Sequence, residues 1–252
     1  MNFTSASISA NRAPSLQPEP AVLLQVGGLT PLTTTDFPGL LAAVVFCQGC
    51  PWQCGYCHNP HLIPRGGEAT QGWEEVMAFL KKRQGLLDAV VFSGGEPTLQ
   101  AGLVPSCRAA RELGFKIGLH TAGPYPARLA EVLPELDWVG MDIKAPFADY
   151  DRITGVPGSG ERARESLMHL LDSGVEHEIR TTVHPALLDA RQVAMLAREL
   201  AALGVRRYIL QEFRAQGCAD SGLNMASGRD FPWAEVRDAL QPLFQHFSIR
   251  GA

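Results

Sequence analysis

Short apolar runs, not long alternating ones, set the rhythm of this chain. Leu41–Phe46 (LAAVVF), Ala89–Phe92 (AVVF), Phe115–His120 (FKIGLH), Trp138–Asp142 (WVGMD), His177–Val183 (HEIRTTV) and Arg207–Gln211 (RYILQ) are rich in β-branched or aromatic residues. They show little of the period-two alternation of a strand with one wet face, which is the pattern of strands covered on both sides in a parallel sheet. Between them, apolar residues recur at helical spacing over Trp73–Arg83, Gly102–Leu113, Ala127–Leu133, Glu161–Asp172 and Ala190–Leu203, with a last such stretch at Ala234–Phe244. Successive strand–helix units predict an α/β fold, a partial (β/α)6 barrel, with a doubly wound open sheet as the rival arrangement. No repeat or linker divides the chain. Residues 1–20, rich in Ser, Ala, Asn and Pro, are expected to form a disordered tail, and residues 21–252 a single domain.

Both architectures gather chemistry at the carboxyl ends of the strands. Polar residues mark each of these ends. A cysteine cluster follows the first run and Ser93-Gly94-Gly95-Glu96-Pro97 the second. His120 and Thr121 end the third, Asp142 and Lys144 the fourth, Arg180 to His184 the fifth and Gln211 to Arg214 the sixth. With 46% hydrophobic and 19% charged residues the chain can bury a sizeable core. Its net charge of −4 argues against a general nucleic-acid binder. No apolar run approaches the ~18 residues of a membrane span. The first residues lack the basic start and apolar core of a signal peptide, so a cytoplasmic chain with reduced thiols is expected.

Cys47, Cys50, Cys54 and Cys57 are clustered, while Cys107 and Cys218 stand apart. Clustering of this kind indicates metal chemistry rather than a disulfide framework. The spacing of Cys50, Cys54 and Cys57 lets three thiolates wrap one face of a cubane iron–sulfur cluster and leaves one iron open. It also admits a structural zinc site with Cys47 as the fourth ligand. As a small apolar residue, Cys47 alternatively caps the first strand.

With Tyr56 directly before the third cysteine, Cys50-Pro-Trp-Gln-Cys54-Gly-Tyr-Cys57 resembles the hallmark of the radical S-adenosylmethionine (SAM) enzymes. Further segments resemble the activating enzymes of glycyl-radical enzymes. They are Gly28–Gly39 (GLTPLTTTDFPG), Tyr56–Pro60 (YCHNP), Ser93–Pro97 (SGGEP), Met141–Lys144 (MDIK) and Tyr208–Phe213 (YILQEF). The pattern is most similar to the activating protein of anaerobic ribonucleoside-triphosphate reductase and covers roughly residues 25–215. The resemblance implies one 4Fe–4S cluster on Cys50, Cys54 and Cys57, with SAM chelating the open iron. An electron from the reduced cluster would cleave the sulfonium bond, and the resulting 5′-deoxyadenosyl radical would take a hydrogen atom from a glycine of a partner enzyme. It implies SAM-site roles for Tyr56, His58, Ser93, Gly94, Gly95, Glu96, Thr121, Asp142 and Lys144, and a monovalent cation beside Asp142 and Thr121. Strand-end position adds His184, Gln211 and Arg214 as candidates; Asp36, ahead of the first strand in the entry segment, is either a contact for the target glycine loop or an exposed turn aspartate before Pro38. No protein side chain is expected to act catalytically beyond cluster and SAM. Reduced flavodoxin or ferredoxin is the implied electron donor. A radical SAM enzyme acting on a small molecule and a non-catalytic zinc module are the alternative readings.

Overall fold

The computed structural model describes residues 23–66, 71–226 and 230–251. The expected tail over residues 1–20 lies outside the described residues. All six predicted strands form: β2 (Ala42–Cys47), β3 (Ala89–Gly94), β4 (Lys116–Thr121), β5 (Trp138–Asp142), β6 (Glu176–Val183) and β7 (Arg207–Glu212). Two more flank them, β1 (Val26–Thr33) and β8 (His246–Arg250). The eight lie in one sheet in sequential order. β1 is antiparallel to β2, and every later neighbour is parallel. A sequential order has no switch point, which excludes the doubly wound sheet. The sheet order carries no pairing of β8 with β1, so the barrel is partial; its parallel part has seven strands where six were expected.

The predicted helices form as α1 (Trp73–Lys81), α2 (Leu103–Glu112), α3 (Pro126–Val132), α5 (Ser159–Ser173), α6 (Ala190–Ala202) and α8 (Trp233–Leu240), with short α4 (Tyr150–Thr154) and α7 (Ser221–Ala226) added. Local chemistry fixes their ends. Asp189 and Gln192 form a reciprocal capping box at the start of α6, which satisfies donors that would otherwise lack partners. Among the described residues no helix is long and apolar enough to cross a membrane.

The missing alternation in the strands now has its cause. Ala43, Val45, Val90 and Phe92 face the helices, within the main core. Their neighbours Ala42, Val44, Ala89 and Val91 face inward, where they meet Trp138 and Phe37. Phe37, from the β1–β2 loop, plugs this half of the barrel with its ring 5.5 Å from that of Trp138. Each such side chain contributes about 1.5–3 kcal/mol by leaving water. Toward β6–β8 the inner face turns polar. There the buried Glu178 receives two parallel 2.8 Å hydrogen bonds from Arg250, a fork that ties β8 across β7 to β6.

Candidate active site

The cysteine loop leaves β2 and folds back on itself. Cys50 N–H donates to Ile63 O at 3.0 Å, Gln53 N–H to Thr154 O at 2.9 Å and Cys57 N–H to Cys54 O at 3.1 Å. These bonds place Cys50, Cys54 and Cys57 around one cavity of about 190 Å³, together with Trp52, Tyr56, Gly94, Gly95 and Lys144. Burial pushes the Cys50 thiol up to about 12, with Glu96 adding to the shift, and burial raises Cys54 as well. Cys47 is different. It is fully buried in the core, does not line this cavity, and its thiol is raised well above the usual range by burial. A four-thiol zinc site would have to pull it out of the β2 core. The cavity therefore fits a three-cysteine set, with Cys47 as the apolar strand cap.

The β3 end supplies the glycine turn. Gly94 has φ +107°, and a Cβ there would lie 2.5 Å from the Cys47 nitrogen; at Gly95 it would strike the Gly49 carbonyl. Only glycine allows this loop to lie against the cysteine loop. Gly95 N–H then donates to Cys47 O (2.9 Å) and Glu96 N–H to Gly49 O (2.8 Å). Glu96 itself is 1% exposed and does not line the cysteine cavity. Its carboxylate accepts from Thr98 N–H (3.0 Å), Thr98 O–H (2.6 Å), Thr121 O–H (2.8 Å) and Ala122 N–H (3.0 Å). Burial raises its pKa against these four donors. Glu96 thus clamps the glycine turn to the end of β4. Thr121 is engaged in the same clamp, though it does line the cavity.

Asp142 and Arg180 are paired in register on β5 and β6. Arg180 Nε donates to Asp142 Oδ1 at 2.8 Å, and Lys144 Nζ lies 3.9 Å from Oδ2. Burial would raise the Asp142 pKa, but Arg180 and Lys144 outweigh it and hold the group below its usual range. Two cationic side chains thus share this carboxylate. His120 Nε2 lies 2.9 Å from the Asp36 carbonyl and 3.3 Å from Arg180 Nη1. Burial, reinforced by Arg180, drives His120 down to about 3, so the ring is neutral near pH 7. Burial also works against the charge of Lys144, yet Tyr56, Cys54 and Asp142 hold its pKa well above the usual lysine value. Its Nζ sits 5.6 Å from the centre of the Tyr56 ring.

A second, larger cavity of about 640 Å³ adjoins the first and shares His58, His120, Asp142, Arg180 and Thr182 with it. Asp36, Gln211 and Arg214 line this larger space, not the cysteine cavity. His58 is held at the border, its Nε2 2.8 Å from Arg214 O and its ring stacked on Phe213. Ser93 lines the cysteine cavity beside His120. His184 lines neither cavity. It is fully buried, accepts from Ala186 N–H at 3.1 Å, places Nε2 2.9 Å from Leu223 O and meets Phe213 edge-on. These contacts are those of a packed histidine that caps the loop after β6. Sequence reasoning set Arg180 at a strand end without giving it a role, and missed Trp52 as a lining residue. The signal for Arg180 was a lone cation inside a buried strand, at the register position of Asp142.

The residues present fit a cluster with SAM. Three thiols share one cavity, Lys144 offers a cation to a carboxylate, and two buried polar atoms of the lining, Trp52 Nε1 and Tyr56 OH, lack protein partners. The sequence model of the radical SAM superfamily matches residues 44–200. A protein of Methanocaldococcus jannaschii, assigned provisionally as a glycyl-radical enzyme activating enzyme, is 30% identical over 205 residues, spanning 77% of this chain and 82% of its own. The pyruvate formate-lyase-activating enzyme of Clostridium pasteurianum is 30% identical over 177 residues, spanning 68% and 73%. Among solved structures, QueE from Escherichia coli superposes with a TM-score of 0.56 at 19% identity, over 90% of this chain and 94% of that one, a likeness of fold. Matched in this way at the cysteine loop, the sheet and most of its length, the chain belongs to the radical SAM superfamily and, within it, to the activating enzymes of glycyl-radical enzymes.

Proposed function

We propose that this activase acts on anaerobic ribonucleoside-triphosphate reductase, installing its glycyl radical, with reduced flavodoxin or ferredoxin as the electron donor. The observation that carries the protein-substrate reading is the larger cavity. It opens between the β1–β2 loop (Thr34, Thr35, Asp36, Pro38) and the ends of β7 and β8 (Gln211, Glu212, Arg214, Arg250), directly beside the cysteine cavity. A small-molecule enzyme needs a pocket that shuts over its substrate. A cavity of about 640 Å³ between a loop and two strand ends, lined by polar and charged side chains, suits an extended glycine loop instead. The resemblance of the pattern over residues 25–215 to the activating protein of that reductase supports it as partner.

Cys50, Cys54 and Cys57 hold the cluster in this reading. When bound, cluster and SAM supply electron transfer and bond cleavage that generate a hydrogen-abstracting radical. The chain's own residues bind, orient and exclude water. Gly94 and Gly95 would offer backbone acceptors to the SAM amino group, the Tyr56 backbone would meet the adenine with His58 beside it, and Lys144 would meet the SAM carboxylate. The Asp142–Arg180 pair holds the floor between the two cavities, and Asp36 contacts the incoming loop. Lys144→Ala is expected to retain iron and weaken SAM binding roughly ten- to hundredfold, the worth of one charge-assisted hydrogen bond. Calorimetry on the reconstituted protein reads this directly, and equal affinity in variant and parent removes Lys144 from the site.

The partner is tested by electron paramagnetic resonance. The reduced, reconstituted protein is mixed with SAM and either anaerobic ribonucleotide reductase or pyruvate formate-lyase. A glycyl-radical doublet with the reductase is the expected result, and a doublet with the lyase alone contradicts the partner assignment.

A further inference from the structure

We infer that the indole N–H of Trp52 donates a hydrogen bond to a sulfur of the iron–sulfur cluster and so raises the cluster's reduction potential. The inference rests on the cluster reading above and goes beyond it, because Trp52 is not a ligand. Trp52 lies between the first two cysteines of the loop and lines the cavity that all three share. It is 1% exposed, so water cannot serve its indole nitrogen. That nitrogen is one of the few buried side-chain polar atoms without a protein partner. An indole N–H can only donate, and a buried donor left unpaired is costly, so the acceptor must come from what fills the cavity.

Two polar side chains that line the same cavity have partners of their own. Thr121 Oγ1 accepts from Gly123 N–H, and Asp142 is held by Arg180 and Lys144. Sulfur is the acceptor that a cluster held by Cys50, Cys54 and Cys57 would bring into this cavity. The indole is also pinned in place. It meets Tyr150 edge-on with ring centres 5.7 Å apart, and Tyr150 OH accepts from Lys144 N–H at 3.0 Å. The next residue, Gln53, is tied by its N–H to Thr154 O. A fixed donor favours the state with more negative charge on sulfur. One-electron reduction of the cluster by the donor adds that charge, so the N–H stabilises the reduced form more than the oxidised one.

The test compares reconstituted wild type with Trp52→Phe, which keeps a ring and removes the donor. Both are titrated anaerobically without SAM, and the reduced cluster is followed by its paramagnetic resonance. Equal iron per chain is expected, with the reduction equilibrium shifted about tenfold toward the oxidised cluster, or about 59 mV lower for one electron. An unchanged potential overturns the inference, and an unchanged potential with weaker SAM binding reassigns the indole to SAM. Should Trp52→Phe fail to load, wild type carrying ¹⁵N-indole tryptophan gives the second reading. Hyperfine coupling of one indole nitrogen to the reduced cluster is expected, and its absence overturns the inference. If wild type binds no cubane cluster, the cluster reading falls as well; if it binds one and cleaves SAM while the potentials agree, only the role of Trp52 falls.

Discussion

Cys54→Ala loses its iron almost completely after anaerobic reconstitution and cleaves no SAM above background, whereas Cys47→Ala keeps both. The contrast follows from where the two thiols sit. Cys54 lines the cavity with Cys50 and Cys57, so its loss leaves two ligands for a cluster that needs three. Cys47 is buried at the end of β2, against the Gly94 backbone. Its replacement removes one buried sulfur and costs about 1 kcal/mol of folding stability, with no effect on the ligand set. Iron per chain and visible absorption separate the two outcomes. If Cys47→Ala loses iron as fully as Cys54→Ala does, the three-cysteine assignment is wrong.

Arg180→Ala destabilises the iron-free fold by about 2–3 kcal/mol near pH 7. Stripping one partner from a buried ion pair costs about 3–5 kcal/mol, most of it the penalty of the charge left behind. The Asp142 side chain is 35% exposed toward the cavities, so water recovers part of that penalty and the lower figure applies. The Gly140 carbonyl also loses the 3.3 Å contact from Arg180 Nη2. The penalty depends on pH. Because the pair depresses the Asp142 pKa, its stabilisation is fully present above the ordinary carboxylate value and is lost as pH falls through the lowered one. Wild type and Arg180→Ala therefore converge in acid, below about pH 4. Urea titrations at several pH values measure this. Arg180→Met with Asp142→Asn, which removes both charges, should recover most of the stability. A penalty that is constant with pH would mean that Arg180 acts by packing alone.

The inner architecture was legible because burial on both faces writes a distinctive run into each strand, and β2 to β7 all carry it. The flanking strands carry a different signature. β1 contains Gly27, Gly28 and Pro31, which read as loop, and β8 alternates between exposed and half-buried residues as an edge strand does. The cysteines were legible because ligand spacing within one loop is a local property. The role of Glu96 was not, since two of its four donors, at Thr121 and Ala122, lie far along the chain and come near only through the β3–β4 pairing. The surroundings of His184 were hidden in the same way. Its place after β6 suggested the mouth, but the chain turns it back beneath Leu223 and Phe213. Arg180 became meaningful only with the β5–β6 register that sets it beside Asp142.

Deuterium transfer tests the activase reading most directly. A peptide or partner protein deuterated at the glycine α-carbon is incubated with the reduced, reconstituted protein and SAM, and the released 5′-deoxyadenosine is analysed by mass. Label should appear in the 5′-deoxyadenosine from the glycine of anaerobic ribonucleotide reductase. SAM turnover with no label from any glycyl-radical partner, but with label taken from a small metabolite, would contradict the account.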